Sequence, residues 1–598
     1  MSTSYDTSKQ LNRASNPESA QTDTQNRFSS SQNPTILEDF QSGVLLFDAN
    51  GDDQAARRAF QCFSRCAAAM YAPAFGYLGQ CYAEGKGVEK NYDKAFEMYT
   101  KGADMGDSRS QCGLGDCYLN GLGTTQDHTM AFEYYSKSSH QGYVDAFVKL
   151  GLRYYHGRGV SQDYKKAFEW FSKGAALGNL RAQTNLGNCY YYGHGVDQDY
   201  KKAFEWYFKS AAQGSPQAQN FLGNCYFYGQ GIDKDYKKAF EWYFKSAAQG
   251  NSQSQHSLGI CYHRGLGVDK DYHKAVEWYS KGAAQGNAYA QATLGDCYFR
   301  GIGVNQDYNK AFEWFSKSAA QGNPQAQSRL GDCYYSGRGV DKDYNKAFEW
   351  YSKSAAQGDP QAQYNLGVCF DLGLGVNQDQ RKALEWISKS AAQGNPHGQN
   401  GLGNCFCYGL GVDQDYVQAF EWFLKSAEQG HVEAQNNVGN RYFYGQGVEQ
   451  DYKKAFDWYS KSAARGYPLA QNNLGMCYYH GRGVDLDYRK GCEWFAKSAE
   501  QGISAAQFNL GSAYSEGKGV DQDDVKAFEW FSKSAAQDDI EAQNRLGDCY
   551  YYGKGVAKDY KMAREWYEKS ATQGNTAAAS KLETLFFPSK QQREREVD

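Results

Sequence analysis

Apolar positions recur along most of this chain with a long period as well as a short one. Between Asn179 and Tyr192 they fall at Leu180, Ala182, Leu186, Cys189 and Tyr190, the three-to-four spacing of an amphipathic helix. Gly193-His194-Gly195-Val196 interrupts the pattern with residues suited to a helix end and a tight reversal. Asp199 then supplies a carboxylate to cap a second helix over Tyr200–Gln213, with Ala203, Phe204, Tyr207, Ala211 and Ala212 as its apolar and small positions. Gly214 ends that helix and the arrangement begins again. The Leu-Gly step recurs every 36 residues from Leu78-Gly79 to Leu546-Gly547, fourteen times without insertion or deletion, with Val438-Gly439 as the variant.

A period of this size predicts an all-α solenoid of 36-residue helix-turn-helix repeats, in which each hairpin buries its apolar face against its neighbours. Residues 72–575 hold the fourteen repeats. Residues 35–71 read as a degenerate N-terminal capping repeat and residues 576–587 as a C-terminal capping helix, because terminal repeats must cover an open core. The segment 1–34 is rich in Ser, Thr, Asn and Gln and poor in large apolar groups, so it is expected to be disordered, and 588–598 forms a charged tail.

Three registers carry further information. All twelve tryptophans occupy one position of the second helix, from Trp170 to Trp566, with Met98 and Tyr134 in that position in the first two repeats. They read as a structural ladder covering the partner helix and the next repeat. Eleven of the sixteen cysteines share one position of the first helix, where a lone thiol behaves as a small buried hydrophobe and not as half of a disulfide framework. The glycine of Leu-Gly sits in mid-helix, at a cost of about 1 kcal/mol against Ala. The expected compensation is a neighbouring backbone that a Cβ would block.

Composition narrows the function classes. The net charge is −4, from 64 basic and 68 acidic side chains, so no global field favours nucleic acid. The first residues lack the basic and apolar regions of a secretory leader, and no stretch is long and apolar enough for a membrane helix. The expected location is cytoplasmic or nucleocytoplasmic, with lumenal or secreted residence the lesser alternative. Neither the histidines nor the recurrent Asp-Tyr-Lys-Lys run forms a catalytic, metal or cofactor constellation, and Gly-x-Gly-Val lacks the strand and wider glycine spacing of a nucleotide fingerprint. The chain therefore reads as a non-enzyme without metal or cofactor.

The phased positions Ala218, Leu222-Gly223, Tyr226, Gly229-Gln230-Gly231-Ile232, Asp235, Lys238-Ala239 and Trp242-Tyr243 resemble the Sel-1-like repeat family, a relative of the tetratricopeptide class. The resemblance covers about residues 36–587 and implies a right-handed α/α superhelix that acts as an adaptor or assembly platform. Some secreted relatives carry a paired-cysteine disulfide in each repeat. The single recurrent Cys here departs from that pattern.

A solenoid of this kind offers one helix of each repeat to an inner, concave face, and the first helix is the expected lining element. Two asparagine columns stand on it: Asn220, Asn400, Asn436, Asn472 and Asn544 in one, Asn224, Asn404 and Asn440 in the other. Their amides can clamp the backbone of an extended peptide. The alternative is that they hydrogen-bond between repeats. Arg181, Arg329 and Tyr364 break the repetition on the same helix and are candidate selectivity positions. Tyr192, Tyr228, Tyr408, Tyr444 and Tyr552 precede the turn and are expected to stack from repeat to repeat, with a ligand-binding lip as the alternative. The function expected is an adaptor that binds a protein or extended peptide, with a monomer favoured. A structural module assembling through homotypic contacts is the alternative, and a carbohydrate-binding solenoid a minor one.

Overall fold

In a computed structural model, residues 34–49 and 53–586 are described. The expected disordered tail before Pro34 and the charged tail after Phe587 lie outside them. The described residues form helices without a strand. Two helices, Pro34–Asp48 and Asp53–Ala68, precede the repeats, and Thr576–Phe586 follows them. The chain divides into two compact parts, Met1–Ala290 and Gln291–Asp598, with the boundary in the helix Ala288–Arg300. Each part is an α-solenoid of 36-residue helical hairpins.

One repeat explains the rest. Ser215 caps Pro216–Tyr228 by accepting from the Ala218 N–H at 3.3 Å, and Pro216 at the first turn needs no amide partner. Gly229 ends the helix at φ +73, where its N–H donates to the Cys225 carbonyl. The N–H of Asp235 then donates to the Tyr226 carbonyl at 2.9 Å, which closes the loop, while its carboxylate accepts from the Lys238 N–H at 3.0 Å and starts Tyr236–Ala248. Asn91, the one cap that is not Asp, accepts from Lys94 in the same way.

The second glycine of Gly-x-Gly has two duties. Gly231 takes φ +74, and a Cβ there would run into the carbonyl of Tyr200, at the start of the preceding repeat's second helix. The turn thus sets both the hairpin and its docking on the previous one.

The Leu-Gly step works differently from expectation. A Cβ on Gly223 would lie 2.6 Å from ring carbons of Tyr243, and one on Gly187 would lie 2.6 Å from those of Tyr207. Its main neighbour is therefore an aromatic ring from the second helix of the same repeat, not a backbone. At Gly367 the ring is replaced by Ile387, and there the Ala383 carbonyl also comes near, at 3.1 Å. The missing side chain creates the slot for a fully buried ring (Tyr207, Tyr243 and Tyr279 in the first part, Phe423 and Tyr459 in the second). That burial offsets the helix cost.

Stacking is carried by the tryptophan ladder. Trp206 packs on the cluster containing Phe171, Ala175 and Leu186, so it reaches the preceding repeat, and Trp494 does the same against Tyr459 and Leu474. In all twelve cases the lysine three residues on lies over the ring, as Lys209 does over Trp206 at 4.1 Å. All sixteen thiols are free and buried.

Candidate functional site

Aligning the repeats on one another separates constant from variable positions. The residues that make the hairpin, at the registers of Gly223, Gly229, Gly231, Asp235 and Ala239, barely change. Variation concentrates on the first helix at the registers of Gln217, Asn220, Phe221, Asn224 and Tyr228, whose spacing of three and four places them on one face. That face carries the site residues expected from sequence.

The two asparagine columns prove to have different surroundings. In the first, Asn220, Asn400, Asn436 and Asn544 are buried and Asn472 half-buried. Each accepts from the next turn of the stack: Asn220 from Ser254 Oγ at 2.8 Å, Asn400 from Asn437 at 3.1 Å, Asn436 from Asn473 at 3.0 Å, Asn472 from Asn509 at 3.0 Å and Asn544 from Lys581 Nζ at 3.0 Å. This column joins repeat to repeat.

In the second column Asn224 and Asn440 are half-buried, and Oδ1 accepts from Tyr243 at 2.7 Å and from Tyr459 at 2.8 Å. Asn188 accepts from Tyr207 in the same way at 2.7 Å. The bond fixes the amide's orientation, so what it can still offer a ligand is the Nδ2 donor. Asn404 is half-buried too, but the register of the tyrosine is occupied by Phe423, which has no hydroxyl.

Aspartate replaces asparagine in some repeats, and a cation then accompanies it. Asp116 accepts from Tyr135 at 2.8 Å and pairs with Lys149 at 2.5 Å. Arg329 spans Asp296 at 3.0 Å and Asp332 at 3.3 Å, and Tyr351 also donates to Asp332. Burial raises the pKa of Asp332 and Asp296, with Arg329 opposing that shift. Arg329 is thus a half-buried clamp within the stack. Arg181 is exposed, and Tyr364 is half-buried beside His397 at a ring separation of 5.8 Å, its hydroxyl pushed up to about 12 by burial.

The tyrosines before the turn depart from the expected repeat-to-repeat stacking. Among the described residues, Tyr228 meets Phe227 edge-on at 4.9 Å and Tyr444 meets Phe443 at 5.0 Å, each the preceding residue of its own helix. Tyr228, Tyr408 and Tyr444 remain 63%, 68% and 63% exposed, and Leu372 continues the Tyr408–Tyr444 row one repeat earlier at 58%. A row of exposed apolar groups therefore borders the polar face in the second part.

Sequence reasoning missed two polar seams. Buried Gln219 donates to the Ala211 carbonyl of the preceding repeat at 3.2 Å and accepts from Gln249 at 2.7 Å. Fully buried Ser246 donates to the Pro216 carbonyl at 2.6 Å. The signal was the recurrence of Ala-Gln and Ser-Ala at these registers in most repeats, which a soluble helix surface would not retain. Among the described residues, no cluster of three or more His, Cys, Asp or Glu is placed to hold a metal ion, and no helix is long and apolar enough to cross a membrane.

The Sel1 repeat profile matches fourteen consecutive segments, from 76–107 through 108–143 and 145–179 to 540–575. Among solved structures, a protective antigen of uropathogenic Escherichia coli strains, displaying an SLR fold, is 38% identical, with 77% of this chain and 98% of that one covered and a TM-score of 0.55. A Sel1 repeat protein from Oxalobacter formigenes is 35% identical, covering 52% of this chain and 89% of its own, with a TM-score of 0.38. No functionally curated protein matches the chain. With its hairpins, turn glycines and aromatic slots repeated across the matched segments, this chain belongs to the Sel1 repeat family.

Proposed function

We propose that the chain is a non-enzymatic scaffold that binds an extended peptide segment of a protein partner along the face of its first helices. The observation that supports this most is the dense variation along that face, at the registers of Gln217, Asn224 and Tyr228, beside hairpin registers such as those of Gly223, Asp235 and Ala239 that repeat almost unchanged. A repeated hairpin needs the same residues at its turn and slot, whereas recognition needs a different side chain at each step.

Within that face the ligand contacts divide by surroundings. The half-buried amides of Asn224, Asn404 and Asn440 are suited to peptide carbonyls, and the exposed rings of Tyr408 and Tyr444 to apolar side chains. Arg181 and Tyr364 add a charge and a half-buried ring at single steps. The first asparagine column supports the site by holding consecutive repeats in register.

The test is selection from a displayed random peptide library on the full chain, followed by titration of the selected peptide. Asn404→Ala, Tyr408→Ala and Tyr444→Ala should each weaken it several-fold, while Glu421→Ala on the exposed side of a second helix should not. Equal binding by all four variants would overturn the reading.

A further inference from the structure

Two consecutive second helices, Tyr200–Ala212 and Tyr236–Ala248, have the same sequence over all 13 residues. Each carries a phenylalanine, Phe208 or Phe244, at a register where most repeats have serine. Ser316, Ser352 and Ser532 in that register are half-buried and donate to the carbonyl four residues back, at 2.8, 2.8 and 2.7 Å. Phe208 and Phe244 are instead each 46% exposed. Neighbouring rings hold them in place. Phe208 stacks with Phe204 and meets Trp242 edge-on, both with ring centroids 6.3 Å apart. Phe244 stacks with Phe240 at 6.3 Å and meets Trp278 edge-on at 6.2 Å. An exposed aromatic ridge therefore crosses two repeats, and exposed apolar surface of this kind marks an interaction site.

We infer that this ridge is a homotypic docking face, on which Tyr200–Ala212 and Tyr236–Ala248 each pack antiparallel to the same helix of a second copy of the chain. The charges around the rings carry that choice of partner. Glu205 and Lys209 are exposed on either side of Phe208, one turn apart and opposite in sign, and Glu241 and Lys245 stand the same way about Phe244. In an isologous contact, if one residue meets another, the reverse contact also forms. A helix laid antiparallel on its own copy, centred between residues 205 and 209, brings Glu205 of each copy to Lys209 of the other. The two Phe208 rings meet between these pairs, and Glu241, Phe244 and Lys245 repeat the arrangement about the same axis. Parallel pairing of Tyr200–Ala212 on Tyr236–Ala248 would set Glu against Glu and Lys against Lys. The rings supply the attraction and the charges fix the orientation.

Two helices about 20 Å long and each about 10 Å across cover about 400 Å² per copy. The total, about 800 Å², is less than the roughly 1,200–2,000 Å² of a stable interface, so the association is reversible. This face belongs to the second helices and does not depend on peptide binding by the first.

Sedimentation equilibrium of the full chain is the test. The mean mass should rise from one chain toward two over the micromolar range. Phe208→Ser with Phe244→Ser installs the residue most repeats carry, so it should keep the helical circular dichroism while weakening association about tenfold or more. Glu205→Lys with Glu241→Lys, and separately Lys209→Glu with Lys245→Glu, should each weaken self-association, whereas an equimolar mixture of these two variants should associate again, because their charges then complement one another. A wild type that stays monomeric, or association untouched by the Phe→Ser pair, would overturn the face. A mixture that associates no better than either charge variant alone would overturn the antiparallel pairing.

Discussion

Tyr243 donates its hydroxyl to Asn224 Oδ1 across 2.7 Å, although the two stand on different helices and 19 residues apart. The same ring fills the slot that Gly223 leaves in the first helix. One side chain therefore joins the apolar lock of the hairpin to the polar face of the first helices. The pairing recurs wherever the ring is tyrosine opposite Asn188, Asn440, Asp116, Asp332 or Asp548.

Tyr243→Phe should keep the ring packing and lose the hydrogen bond, with a destabilisation of about 1 kcal/mol. The reverse change, Phe423→Tyr, gives Asn404 a donor it lacks and should stabilise its repeat by a similar amount. Hydrogen exchange resolved by repeat is the measurement, because a long array does not unfold as one two-state unit.

Gly223→Ala sets helix propensity against packing. Propensity alone would favour Ala by about 1 kcal/mol. The new Cβ, however, would lie 2.6 Å from a fully buried ring, and overpacking of that kind costs about 1–3 kcal/mol. The net expectation is a lower denaturation midpoint; a raised midpoint would show that the ring can move aside.

Asp538 takes φ +63 at the helix-ending register filled by glycine in nearby repeats, such as Gly502 at φ +93 and Gly574 at φ +97. Asp538→Gly should relieve left-handed strain and stabilise by about 1 kcal/mol or less, since aspartate tolerates that region better than most residues. Thermal unfolding of the variant against wild type reads it directly.

Acid should loosen the second helices before anything else. Backbone N–H donation at the helix start lowers the pKa of the capping Asp163, Asp199, Asp235, Asp271, Asp307, Asp379, Asp451, Asp487 and Asp523. A folded-state value below the unfolded one contributes stability that is complete above about pH 4–5, the ordinary carboxylate range, and is lost as pH falls through the folded value. Asp296, Asp332 and Asp359, raised by burial, act in the opposite sense. With nine caps against three, the melting temperature should fall below pH 4, and Asp235→Asn should remove one increment of that fall while keeping its cap.

The buried thiols should resist alkylation. Burial pushes Cys189, Cys225 and Cys261 up to about 12, so at pH 8 they are neither accessible nor ionised. Iodoacetamide should modify the native chain slowly and the denatured chain at all sixteen positions, read by mass spectrometry. Fast native labelling at the recurrent register would contradict the packing.

The sequence alone determined what depends on neighbours along one helix. The 36-residue period, the Asp caps, the turn glycines and the tryptophan register are local requirements, so each left a residue type at a fixed spacing. Contacts at separations of 19, 30 and 33 to 37 residues were decided only by how helices dock. That is why the Leu-Gly slot was assigned to a backbone when it holds a ring, and why the Gln219–Gln249 seam went unread. It is also why Asn220 and Asn224, identical and four residues apart, could not be told apart in sequence. The fold buries one under the next repeat and leaves the other half-open, because only the rotation of each hairpin against its neighbour fixes which face of a helix meets protein and which meets water.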